Sequence, residues 1–386
     1  MSGGSRRFAA CRRTAAWLGS LLAISLPTLL GAGTARANGA FPSSGQILID
    51  PSDPARVGVR TTYGLVETAD DGASFRWTCE TALGYSDPGH PQFGVTADGI
   101  VFGGLLDGMI RGRLGACEWG RVASLEGLRV VDVSWSATTG RAIAAVVPAI
   151  DARGEIWASD DGAATWEKLG ATLPVKFSPL TLDAAPSDGD RLYVSGLVEG
   201  DPVRGAVARS VDGGASWSVS YVDDADASKA PFIGAIDPND PDVVWVRLDA
   251  APGELFVSRD GGETWELALI IDGFLRAFAL SPDGSEVIAG GDADGLARAD
   301  AALLDWAPMS PVAARCARWH GDVIDVCGTE AIDHFTMGRS SDDGATFQPF
   351  YRQTCLLGPE ACESTTPVGE CAAAWPTVQG QIGAVG

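Results

Sequence analysis

The chain alternates short apolar runs, mostly β-branched or aromatic, with clusters of Pro, Asp and Gly. Asp50-Pro-Ser-Asp-Pro-Ala-Arg-Val-Gly-Val, Asp237-Pro-Asn-Asp-Pro-Asp-Val-Val-Trp-Val and Ser281-Pro-Asp-Gly-Ser-Glu-Val-Ile-Ala share one form. A turn-rich phrase is followed at once by a strand-like run, which is how hairpins are punctuated. No stretch beyond the N-terminal region sustains a helical period. The pattern predicts an all-β chain made of one repeated unit: strand A, tight turn, strand B, loop, strand C, turn, strand D.

The turn before strand D is itself a phrase, Ser-x-Asp-x-Gly-x-Thr/Ser followed by Trp or Phe. It is complete at Ser210 to Trp217, Ser258 to Trp265 and Ser340 to Phe347. The copy from Thr68 to Phe75 begins with Thr, and the copy from Ser159 to Trp166 has Ala163 in place of Gly. Two gaps between these copies are about twice the others, and Trp119 and Trp306 fall where worn copies are needed. The aromatics Phe75, Trp119, Trp166, Trp217, Trp265, Trp306 and Phe347 are then spaced by 44, 47, 51, 48, 41 and 41 residues. A period in the forties with four short strands per unit is a β-propeller signature, here with seven blades. A β-sandwich would not require seven copies of one turn.

These phrases resemble the Asp-box (BNR) repeat of sialidases, xyloglucanases, sortilin-type receptor ectodomains and the photosystem II assembly factor propeller. The resemblance covers about residues 41 to 352. It implies a seven-bladed β-propeller of four-stranded blades, with the box as the C–D turn on the face opposite the functional one. Turn chemistry agrees with that role. A short carboxylate accepts turn amides, Gly supplies positive φ, and the aromatic packs between strands. Asp70, Asp161, Asp212, Asp260 and Asp342 are therefore expected to be structural rather than catalytic.

The two ends of the chain depart from the repeat. Arg6, Arg7, Arg12 and Arg13 precede an apolar run from Ala15 to Leu30, and Ala35-Arg36-Ala37 offers a cleavage site before Asn38. This reads as a signal peptide over 1–37, too short in its apolar run to span a membrane well, with Ser5-Arg6-Arg7 leaving twin-arginine export open. Residues 38–354 are assigned to the propeller and 355–386 to a disulfide-pinned C-terminal tail, able to turn helical after Cys371. The tail would cap the junction of the last blade with the first.

Charge narrows the partners. The chain carries 28 basic and 50 acidic residues, a net −22. The signal segment holds five of the basic residues and none of the acidic ones, which leaves −27. So acidic a surface disfavours nucleic acid and anionic membrane. A monomer recognising a protein or glycan is expected, with no cofactor and no metal. In an exported chain Cys79, Cys117, Cys316, Cys327, Cys355, Cys362 and Cys371 are disulfide candidates first, and the absence of a CxxC pair argues against zinc. Cys362 with Cys371, then Cys79 with Cys117, are the expected pairs, and the odd count leaves one thiol over.

If the box turns mark the bottom, the D–A and B–C connections form the top, and long loops on a rigid scaffold gather binding residues. The candidates are Asp151 and Arg153 in blade three, Glu199, Asp201 and Arg204 in blade four, and Asp292 and Asp294 in blade six. Asp223, Asp224 and Asp226 are placed in the link between blades four and five. That trio could hold a hard cation but lacks the loop grammar of a calcium site. A glycosidase would need two carboxylates across a scissile bond. Asp107, Asp151, Asp201, Asp224, Asp249 and Asp294 could supply them, but nothing singles out a pair. The three-arginine, Arg-Ile-Pro pattern of sialidases is missing, and so are a Gly-x-Ser-x-Gly elbow, a phosphate loop and a His-Glu-x-x-His helix. His90, His320 and His334 are expected to be ordinary loop or strand histidines. The leading expectation is an exported, non-catalytic binding or scaffold propeller. The alternative is a glycoside hydrolase with paired top-face carboxylates.

Overall fold

In the computed structural model, which describes residues 42–85, 91–149 and 153–384, each repeat folds back on itself. Consecutive strands pair antiparallel, and the seven repeats give seven sheets, six of four strands and one of five. The protein is a seven-bladed β-propeller. The first strand of each blade stands innermost: Ser44–Ile49, Phe93–Val95, Arg129–Ser136, Phe177–Ala185, Ala230–Ile236, Ala277–Leu280 and Cys316–His320. The fourth strands, among them Glu167–Leu169 and Ala307–Ser310, form the outer rim and are largely exposed. Second strands are buried on both faces because blades stack face to face. Hence Ala142-Ile143-Ala144-Ala145-Val146 reads as a continuous apolar run rather than an alternation.

The core is a ring of wedges, one between each pair of neighbouring blades. Trp166 of blade three packs at 5.9 Å from Phe102 of blade two, and Trp217 joins Ile143 and Ile156 of blade three. Trp265 lies against blade four, and Trp306 against Trp245 and Leu255 of blade five. The aromatic that closes each repeated turn thus fills the wedge toward the preceding blade. Trp119 and Trp306, the worn copies, occupy the same place as the intact ones.

Within the intact turns the bonds repeat almost to the ångström. Asp212 Oδ1 accepts the Ser210 hydroxyl (2.8 Å) and the Ser216 N–H (2.9 Å), while Oδ2 accepts the Ser216 hydroxyl (2.6 Å). Asp260 does the same with Ser258 and Thr264, and Asp342 with Ser340 and Thr346. Asp70 and Asp161 follow suit. The Ser210 oxygen in turn accepts the Gly214 N–H at 2.8 Å. Gly214 has φ 89°, and Ala163 is held at φ 64° where glycine is missing. Hydrogen bonds to the ionised form pull the box carboxylates down, Asp342 to about 2.

The residue just before each box links blades. Arg111 Nε donates to Gly162 O in the next blade's turn (2.8 Å). Arg209 reaches Asp260 O (3.1 Å) and Glu263 (2.9 Å), Arg298 reaches Asp343 O (3.0 Å), and Arg339 reaches Asp71 (3.0 Å). Glu67 occupies the same position with the opposite polarity and accepts the Gly115 N–H of the worn turn in blade two. Ala158 and Val257 are the exceptions, and blade five substitutes Arg259 bonded to Ala301 O (2.8 Å).

Because every blade is built from consecutive strands, the ring must be closed by other means. Leu356–Pro359 adds to the outer edge of blade one as a fifth strand, parallel to Phe75–Thr78. Across the seam Tyr63 and Tyr351 hydroxyls meet at 3.2 Å, and Phe75 packs 4.7 Å from Tyr351. The tail then turns through a 3-10 segment, Val368–Ala373, into a short helix, Trp375–Ile382.

The disulfides differ from the expected pairing. Cys371 bonds Cys79 and Cys362 bonds Cys117, with Cα–Cα distances of 5.4 and 5.5 Å. The added strand carries the tail back along blade one, so its cysteines meet those of blades one and two rather than each other. The worn turn of blade two, which lacks the box carboxylate, is pinned by Cys117 instead. A third bridge, Cys316–Cys327, joins residues directly opposite on the two inner strands of blade seven. Among the described residues Cys355 is the cysteine in no disulfide. The expected signal segment and cleavage site lie outside the described residues.

Candidate functional site

Strands alternate in direction, so the A–B and C–D turns share one end of the propeller and the B–C and D–A connections the other. The sequence candidates fall on that second end but do not converge. Asp151 lies outside the described residues, and so does His90. Arg153 is tied to Leu173 O (2.9 Å), and Arg204 stacks 3.6 Å from the centre of the Tyr221 ring. Glu199 and Asp201 are exposed in the loop before Arg204. Asp292 pairs with Arg315 at 3.4 Å, and Asp294 accepts the N–H groups of Asp272 (3.0 Å) and Gly273 (2.9 Å).

The acidic trio is not a loop between blades, as expected from sequence. Asp223, Asp224 and Asp226 belong to the outer strand of blade four, Ser218–Asp226, where Asp226 faces Arg204 across a bulge. A β-bulge leaves extra residues of an edge strand unpaired while the pairing resumes beyond them. Asp224 takes the left-handed conformation within it (φ 57°), and Asp226 caps its own turn through Ser228 and Lys229. Among the described residues no cluster of His, Cys, Asp and Glu is arranged to hold a metal, and no helix is long and apolar enough to cross a membrane.

What does converge is a set of arginines at the loop end of the axis. A cavity of about 230 Å³ is lined by the inner strands of blades one, five, six and seven, together with Arg247, Arg276 and Arg318. Arg247 rises from the second strand of blade five, Val244–Asp249, and lies 4.9 Å from the Phe232 ring. Arg276 precedes the inner strand of blade six and covers Phe274 at 4.7 Å. Arg318 extends from the inner strand of blade seven, with one long bond to Ile47 O (3.4 Å). Behind Gly45, Arg60 is buried so closely that any side chain at Gly45 would meet its guanidinium at 2.8 Å.

None of these arginines has a tight carboxylate partner. Arg247 Nη1 stands 3.8 Å from Asp249 Oδ1, beyond hydrogen-bond reach, and is buried without a hydrogen bond. Asp325, the acid nearest Arg318 in charge, is engaged by Arg339 at 2.8 and 3.0 Å and by His320 at 2.9 Å. Burial consequently lowers the guanidinium pKa values. Arg247 is pushed down by desolvation against the pull of Asp249, with a smaller push from Arg276. Arg318 follows by burial against Asp325, and Arg60 falls to about 10 by burial against Tyr85. Arg318 itself stays exposed to solvent.

Two carboxylates do meet elsewhere. Asp132 and Asp183, on the inner strands of blades three and four, are both pushed up, by burial first; for Asp132 the charge of Asp183 adds to it. Asp132 accepts the Leu182 N–H (2.8 Å) and Asp183 the Ser134 hydroxyl (2.9 Å). Both serve the contact between inner strands, and neither lines the axial cavity.

Sequence reasoning missed the arginines while following the acidic loops. A signal was present: Arg60 in Val-Gly-Val-Arg-Thr and Arg247 in Val-Trp-Val-Arg-Leu put a full charge inside apolar strands. Charge in such a run must be compensated or used.

No family model and no curated protein matches the chain by sequence. Solved structures do match in fold. An ancestral GH74 enzyme is 14% identical with a TM-score of 0.55, covering 84% of this chain and 56% of its own length. YCF48 from Cyanidioschyzon merolae is 16% identical over 75% of this chain and 94% of that one, with a TM-score of 0.51. Kuenenia stuttgartiensis hydrazine synthase is 11% identical over 78% and 96%, with a TM-score of 0.56. This chain therefore spans little more than half of the GH74 enzyme. At such identities the likeness establishes the propeller alone.

Proposed function

We propose that the chain is an exported, non-catalytic binding propeller that takes a protein or glycan ligand at the loop end of its axis. The observation that carries this reading is the axial cavity, a concave site on rigid inner strands with under-compensated polar groups aimed into it. Three disulfides support passage through an oxidising compartment, periplasmic or extracellular, after cleavage near Ala37. The repeated turn is taken as the Asp-box, with its aspartates structural.

The hydrolase alternative draws on the likeness to a GH74 fold, but the described hydrolase candidates are engaged elsewhere. Asp107 pairs with Arg121 at 2.5 Å, Asp249 stands beside Arg247, and Asp294 holds backbone. The decisive experiment incubates the mature protein with a panel of polysaccharides, measuring both retention and reducing-sugar release. Binding without release is expected. Release that disappears in a D132N or D249N variant would replace this reading with hydrolysis.

A further inference from the structure

We propose that the axial mouth is a site for one oxyanion group, a carboxylate or a phosphate, held by Arg247 and Arg318 with Arg276 at its rim. This deepens the binding reading and rests on it only for the size of the ligand that carries the group. The lining is the first argument. A chain with 50 acidic and 28 basic residues would by chance place carboxylates around any cavity, yet this one has three arginines and no acidic residue.

Geometry is the second. Arg247 Nη1 is buried with no hydrogen-bond acceptor, and Asp249 stands off at 3.8 Å. A buried donor left unmade is costly, so its persistence points to an acceptor that arrives from outside. Arg247 and Arg276 line the same cavity, and an oxygen anion between them would offset the repulsion of two like charges. Guanidinium forks match the paired oxygens of carboxylate and phosphate.

Size is the third. At about 230 Å³ the cavity falls below the roughly 300–1,000 Å³ of sites that enclose a whole ligand. It suits one charged group of a larger molecule resting on the loop face. The walls are inner strands, with Ile47, Ile233 and Phe278 beside the arginines, so the site is formed before a ligand arrives.

The test is calorimetric titration of the mature, oxidised protein with succinate and, separately, inorganic phosphate at constant ionic strength. One saturable site is expected for at least one of them. R247Q and R318Q should each weaken it about tenfold or more, in line with loss of a charge-assisted bond. R276Q, a change at an exposed residue, keeps the test valid if an inner-strand variant misfolds, and should weaken binding several-fold. R141Q, on the opposite end, should leave it unchanged. No saturation with either anion, or equal affinity in R247Q, R318Q and R276Q, overturns the proposal. Small-anion binding with no polysaccharide or protein retained would keep this inference and remove the broader reading. A retained macromolecule indifferent to all three substitutions, with no anion bound, would do the reverse.

Discussion

At the turn end of the propeller, Arg209, Arg298 and Arg339 each rest against a carboxylate or carbonyl of the next blade. At the loop end, Arg247, Arg276 and Arg318 face a cavity with no acidic residue in its lining. The residue type is the same and the surroundings are opposite. Where the sequence repeats, charge is consumed in holding blades together. Where it does not repeat, charge is left for something that is not part of the chain.

Several substitutions would break or sharpen that contrast. The largest effect belongs to Arg339→Ala at the seam. Asp325 is fully buried and accepts two bonds from Arg339, so removing the arginine leaves a buried carboxylate with only His320 beside it among its described side-chain partners. Denaturant unfolding should show a loss of about 3–5 kcal/mol. A similar loss in R276Q would erase the distinction between the two ends, since that arginine should contribute almost nothing to stability.

Next comes pH. Glu67 is the single acid among the residues that directly precede the repeated turns, and burial pushes its pKa up to about 7. The folded protein thus keeps this proton where the unfolded chain has released it, above about 4.5. Stability from this residue is whole below that value, falls as pH rises toward 7, and stays reduced beyond it. The difference is about 3 kcal/mol at most. Melting temperature measured from pH 4 to 8 should decline, and Glu67→Gln should flatten the decline; a slope unchanged in the variant would remove Glu67 as its source.

Smaller and more uniform are the hydroxyls that open the intact turns. Ser210→Ala, Ser258→Ala and Ser340→Ala each orphan a glycine N–H and unseat the aspartate. Each should cost about 1–3 kcal/mol in thermal unfolding, with the three values close to one another. Widely different values would mean that the turns are alike in shape only. Smallest is Ala163→Gly. The left-handed conformation costs alanine roughly 1–2 kcal/mol, while the buried methyl contributes about 0.8. A net gain of about half a kcal/mol is expected, and a loss would show that packing governs that turn.

The repeated phrase made the blade count legible, worn copies included, because local turn chemistry recurs at a spacing that the wedge aromatics enforce. Closure was not legible. Leu356–Pro359 finds its partner strand from the far end of the chain, and no local pattern announces a parallel fifth strand. The cysteine pairs were misjudged for the same reason, since proximity along the chain is a poor guide in a ring. The acidic segment from Asp223 looked like a loop because its residues are polar, yet an edge strand with a bulge tolerates the same composition. The three axial arginines come from three blades, and only the assembled ring brings them to one cavity.

The two bridges from the tail have a consequence for how the molecule withstands proteolysis. Cys79–Cys371 and Cys117–Cys362 span 292 and 245 residues, so nearly every loop of the propeller lies between anchored ends. A protease that severs one exposed connection, such as the one around Asp201, produces two fragments that remain covalently joined. The first cut is therefore silent, and only a second cut or a reductant lets a piece depart.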